Sequence, residues 1–150
     1  GEQISGEKAS KEVLMHLAIY RQRPQSGAVV HLHSPWLTAL SCLPGVDPTN
    51  ALPPITPYYV MRVGKLPVVP YIRPGSPRIA DEVEKLAAGH NAILLANHGP
   101  IVCGKTLRET VFAAEELEET ARLFFMLKPH GVNTLSEDNV DEFSRLTNMK

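Results

Sequence analysis

Apolar positions along this chain follow two alternating periods, one near 3.6 and one that reads as short buried runs. Val13, Leu14, Leu17, Ala18 and Ile19 recur at helical spacing, which predicts a helix capped by Ser10 and running to about Arg21. Arg23-Pro24 ends it, because the residue before a proline avoids the helical region. Ser26-Gly27 turns the chain into an apolar run predicted as a strand over 28–33. Ser34-Pro35 predicts the next helix, with Ser34 as cap and Pro35 at the first helical position, through Trp36, Leu37, Ala39, Leu40 and Leu43. Residues 44–57 carry five prolines and read as a loop or an ordered arm. Tyr58, Tyr59, Val60 and Met61 make a segment too short to assign. The run 66–70 has a proline near each end, which suits a short edge strand.

Residues 78–89 are amphipathic, with Ile79, Val83, Leu86 and Ala87 inward and Gly89 as the stop. Ala92 to Ala96 is a buried strand by composition. Asn97-His98-Gly99-Pro100 interrupts it and 101–103 resumes, a tight strand–turn–strand. Thr106 and Glu109 form a capping box ahead of a long helix over 107–127, where Leu107, Val111, Ala114, Leu117, Ala121 and Phe124 share one side. Pro129 closes it, and a short helix is expected around 140–146. Helices alternating with short strands predict a layered α/β domain, and the proline-flanked strands argue against a fully parallel sheet.

The totals narrow the function classes. At 150 residues the chain is long enough for one domain with a sizeable core. A net charge of −1 with scattered Lys and Arg gives no footprint for nucleic acid. No apolar run reaches bilayer length, and no secretory signal opens the chain. Cys42 and Cys103 are expected to be reduced and buried, consistent with a cytoplasmic protein. Gly1 to Gly6 reads as a turn between strand fragments and the chain has no initiating Met, so residues upstream are expected.

Chemistry gathers at the strand ends. On a strand, His31 and His33 point to one face and suit a divalent metal; a core histidine beside an exposed one is the bland alternative. His98, at the strand break, is the candidate third ligand or a turn residue without a role. Gly99 is expected to supply the permissive backbone there. Glu12 is the candidate acid/base, although a carboxylate in a first turn also suits the helix dipole. His16, one turn on, fits packing or support of the ligands. Ser10 and Lys11 suit a phosphate or carboxylate, with ordinary capping as the alternative for Ser10. Glu115, Glu116, Glu118 and Glu119 read as a solvated helix face, with Glu118 supporting Arg122. Tyr58 and Tyr59 either pack or donate a phenolic hydrogen bond.

As a set, Ser10-Lys-Glu12, His31-Leu-His33-Ser-Pro and Ala96-Asn-His98-Gly-Pro resemble the class II aldolase/adducin superfamily, and the match covers most of the chain. Within it, Lys8-Ala-Ser-Lys-Glu12, Leu52-Pro-Pro-Ile-Thr-Pro-Tyr-Tyr-Val-Met61 and Ala114-Glu-Glu-Leu-Glu-Glu-Thr-Ala121 resemble a branch that decarboxylates rather than cleaves aldols. The resemblance implies that residues 1–150 are one domain of a three-layer α/β/α fold, lacking its N-terminal part and the phosphate loop found there. It implies a central, mainly antiparallel sheet of nine strands and a homotetramer with interfacial active sites. It implies zinc, or another divalent ion, on His31, His33 and His98, with Glu12 as catalytic glutamate and additional ligand. Ser10 matches a phosphate-binding serine, and Lys11 replaces a second one. Tyr58 or Tyr59 would correspond to a tyrosine brought across the interface. The implied reaction converts a 3-oxo-tetronate 4-phosphate to dihydroxyacetone phosphate and CO2 through a zinc-stabilised enediolate. The alternatives are a sugar-phosphate aldolase or epimerase, and a non-catalytic adducin-like assembly module.

Overall fold

The computed structural model describes residues 2–148, with the side chains of residue 144 and residues 146–148 excepted. Four strands form one sheet: β1 (Ala28–His31), β2 (Val68–Val69), β3 (Ala92–Leu95) and β4 (Gly99–Gly104), in the order β1-β4-β3-β2. β1 and β3 both run antiparallel to β4, with His31 opposite Ile101 and Leu95 opposite Gly99. β2 adds in parallel on the outer side of β3, the edge position its prolines predict. The sheet is therefore mixed and mainly antiparallel. The nine strands implied by the resemblance contrast with four among the described residues.

Alternation along the strands builds two cores. Ala92, Leu94, Val102 and Val30 face one side, which α2 (Pro35–Ser41), α3 (Pro57–Arg62) and α5 (Leu107–Leu127) cover, with α6 (Glu137–Asn148) packed on α3. Ile93, Leu95, Ile101, Cys103 and Val29 face the other, covered by α1 (Val13–Gln22) and α4 (Pro77–Ala87). Helices thus lie on both faces, a three-layer α/β/α arrangement. Ile93 and Leu94 are wholly buried, each contributing about 2 kcal/mol by removal from water. α3 is the helix that the short 58–61 segment left unassigned, and Thr56 caps it by accepting from Tyr59 N–H.

Several local expectations need correction. α1 begins at Val13 because Lys11 and Glu12 form a separate turn; Ser10 Oγ accepts the Glu12 N–H at 3.3 Å. β1 stops at His31, so His33 lies beyond the strand. Cys103 is buried, whereas Cys42 is exposed, and both are free. Ser34 makes no side-chain cap for α2, and its hydroxyl is buried without a hydrogen-bond partner among the described residues. That cap comes from Glu118 in α5, whose carboxylate accepts from Trp36 N–H at 2.8 Å and Leu37 N–H at 3.0 Å. Glu118 is therefore half-buried rather than part of a solvated face, and Arg122 pairs with Glu119 at 3.6 Å. Arg23 plays the matching part at the end of α4. Its guanidinium donates to the carbonyls of Ala87, Ala88 and His90 and to Asn91 Oδ1 at 2.7 Å.

Glu118→Ala leaves two helix-end donors without their charged acceptor and is expected to lower unfolding free energy by about 1–3 kcal/mol. Arg122→Ala is expected to change it by less than about 0.5 kcal/mol. Urea unfolding of both variants makes the comparison; equal losses would show that Glu118 does not anchor α2.

Candidate metal centre

The centre forms where three backbone segments meet: the end of β1, the turn between β3 and β4, and the turn that precedes α1. His31 points from β1 toward the α1 side of the sheet, the face that Val29 also takes. Its Nδ1 lies 2.8 Å from Pro100 O, so Nδ1 carries the proton and Nε2 keeps its lone pair. His98 sits in the turn and is buried, with its N–H donating to Ser41 Oγ at 3.1 Å.

The residue that adopts the left-handed conformation in this turn is Asn97, at φ 54. Asparagine tolerates that region better than most residues. Gly99 is needed for another reason: a Cβ there would lie 2.6 Å from Leu32 O, closer than any real contact allows. Its bare Cα lets the chain between His31 and His33 cross directly over β4. As a result the Nε2 atoms of His33 and His98 face each other at 2.9 Å. The three ring centroids lie 4.8 to 5.1 Å apart.

Glu12 completes the group. Its Oε2 is 2.8 Å from His31 Nε2 and its Oε1 is 3.3 Å from His98 Nε2. The first of these contacts is not aligned as a hydrogen bond, which leaves His31 Nε2 buried and unsatisfied among the described residues. A lone pair close to a carboxylate yet aimed past it fits a cation between them. One ligand atom from each of Glu12, His31, His33 and His98 falls within 4.8 Å of the others. In a tetrahedral zinc site with bonds near 2.0–2.1 Å, ligand atoms stand about 3.3 Å apart. The donor set therefore fits a divalent ion after small adjustment. Three imidazoles could hold it, with the fourth position taken by the Glu12 carboxylate or, in its place, by a substrate oxygen.

Burial favours the neutral form of His31 and His98. It lowers the pKa of His31, against the opposing pull of the Pro100 carbonyl and Glu12. It likewise lowers His98, again opposed by Glu12. His16 is lowered by its own burial and stands near enough to feel Glu12.

Of the remaining residues singled out by sequence, Ser10 and Lys11 lie exposed on the turn leading to Glu12. The methylenes of Lys11 run along Gly75, which has a positive φ of 79. Tyr58 is 64% exposed on α3. Tyr59 does not join it there: it is wholly buried in the core, with its hydroxyl 3.4 Å from Leu52 O. Burial also pushes its pKa far above the ordinary tyrosine value. Residues that sequence reading missed are Thr38 and Ser41, which bond the backbone around His98 from α2.

Fold and site together define a class II aldolase-type domain. The chain belongs to the Class II Aldolase and Adducin N-terminal domain family, which it matches over residues 1–125. It is 56% identical to the 3-oxo-tetronate 4-phosphate decarboxylase of Escherichia coli K12, over 95% of this chain and 67% of that protein. The crystal structure of YgbL from Escherichia coli superimposes with a TM-score of 0.92 at 54% identity, covering 95% of this chain and 69% of that one. An L-fuculose 1-phosphate aldolase follows with a TM-score of 0.84 at 28% identity, covering 97% of this chain and 67% of that one. The chain thus spans about two thirds of the length of these relatives.

The lowered histidines set the pH response of the metal-free protein. Folded His16, His31 and His98 take up protons at lower pH than their unfolded counterparts, which titrate near 6.5. The unfolded state then binds more protons below that value, so stability is complete above pH 6.5 and declines as pH falls through the folded values. Urea midpoints measured from pH 7.5 to 5 are expected to fall, and with less slope in His31→Gln. A midpoint that rises on acidification would mean the imidazoles are stabilised in the charged form.

Proposed function

We propose that the protein is a divalent-metal-dependent carbon–carbon lyase that decarboxylates a 3-oxo-tetronate 4-phosphate to dihydroxyacetone phosphate and CO2. The observation that carries the chemistry is the convergence of His31, His33 and His98 with the Glu12 carboxylate. The choice of substrate is supported by relatives of that name at 46–56% identity. In this reading the three histidines hold zinc. When bound, such an ion supplies Lewis-acid stabilisation of negative charge on a substrate ketone oxygen.

The rest of the work falls to the protein. As the C1–C2 bond breaks, CO2 leaves and its electron pair passes through C2 onto the C3 ketone oxygen. Glu12 Oε1 or Oε2, or a water held there, delivers the proton to C2, which closes the atom and electron balance. Ser10 and Lys11 take the phosphate or the departing carboxylate. The Lys11 ammonium, one residue before Glu12 in the chain, offers a point charge for either group. Tyr58 is a candidate phenolic donor for the site of a neighbouring subunit, in a homotetramer with interfacial sites. Exposed apolar side chains such as Tyr58, Tyr71 and Phe112 support association. A cytoplasmic location is supported by two free cysteines.

The second reading is a sugar-phosphate aldolase, favoured by the likeness to L-fuculose 1-phosphate aldolase. That reaction also develops negative charge beside a ketone but releases an aldehyde. An adducin-like assembly module has no use for a carboxylate set among three converging histidines.

With the intact protein and 3-oxo-tetronate 4-phosphate, CO2 release is the expected result, lost on chelation and restored by zinc. Glu12→Gln is expected to reduce the rate about 10²- to 10⁴-fold. Aldehyde release from a ketose phosphate without CO2 from the oxo acid would overturn the decarboxylase reading in favour of the aldolase.

A further inference from the structure

We propose that Thr38 and Ser41, one turn apart on α2, are positioning residues that hold His98 in register with His31 and His33. This rests on the reading of the centre as a metal site. The two hydroxyls and the Ser41 carbonyl grip the turn on both sides of the His98 Cα. Ser41 Oγ accepts the His98 N–H at 3.1 Å and donates to Thr38 O at 2.7 Å. Ser41 O accepts the Asn97 N–H at 2.9 Å. Thr38 Oγ1 donates to His98 O at 3.1 Å. The peptide groups before and after His98 are thereby fixed to one helix.

A contrast between two of the histidines gives this clamp its meaning. The ring of His31 is oriented directly, since its Nδ1 is tied to Pro100 O. The Nδ1 of His98 is buried and has no hydrogen-bond partner among the described residues. Among the described residues no hydrogen bond at Nδ1 sets the direction of this ring, so the backbone carries more of the placing of its Nε2 than it does for His31. That backbone includes Asn97 in the left-handed region, a conformation that persists when its surroundings hold it. α2 supplies the hold, and Glu118 fixes α2 in turn through the Trp36 and Leu37 N–H groups.

A role confined to folding would lower stability and leave the geometry of a bound ion unchanged. Cobalt(II) titration followed by visible absorption separates the two, applied to the unaltered protein and to Ser41→Ala, Thr38→Val and Thr38→Ser. Thermal unfolding of each metal-free form runs alongside. Ser41→Ala and Thr38→Val are expected to bind cobalt on the order of tenfold more weakly, with a shifted d–d band. Thr38→Ser is expected to restore both. Valine has nearly the shape of threonine, so Thr38→Val decides the matter if Ser41→Ala fails to fold. Unchanged affinity and spectrum in Thr38→Val would overturn the positioning role, whatever happens to its melting temperature. Absence of a cobalt band in the unaltered protein would overturn the metal reading, and this proposal with it.

Discussion

The histidine centre depends on how closely one carbonyl can pass over one Cα. Leu32 O crosses Gly99 at a distance that no side chain at that position would permit. The crossing closes the end of β1 onto the β3–β4 turn and sets the Nε2 atoms of His33 and His98 at 2.9 Å. Two imidazole nitrogens that near each other must share a proton or a cation. With His31 fixed by Pro100 O and Glu12 delivered from the start of α1, the protein presents a ready donor set rather than assembling one on demand. Preorganisation of this kind removes the cost of gathering ligands at the moment of binding.

The sheet supplies the rigidity and the helices supply the aim. β3 and β4 are buried on both faces, so their connecting turn has little freedom. α1 brings Glu12 from one layer, while α2 holds the turn from the other. The centre therefore lies at the seam of the three layers, where small shifts of either helix alter ligand distances. Burial adds a chemical consequence: imidazoles kept neutral are ready to ligate without first losing a proton.

Much of this was legible in the sequence. The H-x-H pair and the Asn97-His98-Gly99-Pro100 break announced themselves through local pattern, because strand alternation and turn chemistry act over a few residues. The long helix at 107–127 and the edge position of 68–69 were equally local. What stayed hidden depends on partners far apart in the chain. Glu118 looks like one more charge on a helix face, yet its carboxylate serves Trp36, 82 residues away. Arg23 closes α4 across a similar span, with Asn91 68 residues on. Thr38 and Ser41 read as unremarkable helix residues until folding sets them against His98. Tyr58 and Tyr59 show the ambiguity of a bare pair: adjacent on a short helix, they face opposite ways, one to solvent and one into the core. The permissive backbone expected of Gly99 takes a specific form, room for the Leu32 carbonyl rather than a positive φ.

A frame of three imidazoles and a carboxylate suits any reaction that develops charge beside a ketone, which is why decarboxylation and aldol cleavage are near neighbours on this fold. In the proposed reading, Ser10, Lys11 and Tyr58 are the groups that would distinguish the two. All of it presupposes an ion in the centre. Anomalous diffraction at the zinc edge, from crystals of the zinc-loaded protein, tests that presupposition most directly. The expected map has one peak about 2.0–2.1 Å from the Nε2 atoms of His31, His33 and His98. A map with no peak there, or with the three rings turned away from a common point, would contradict it.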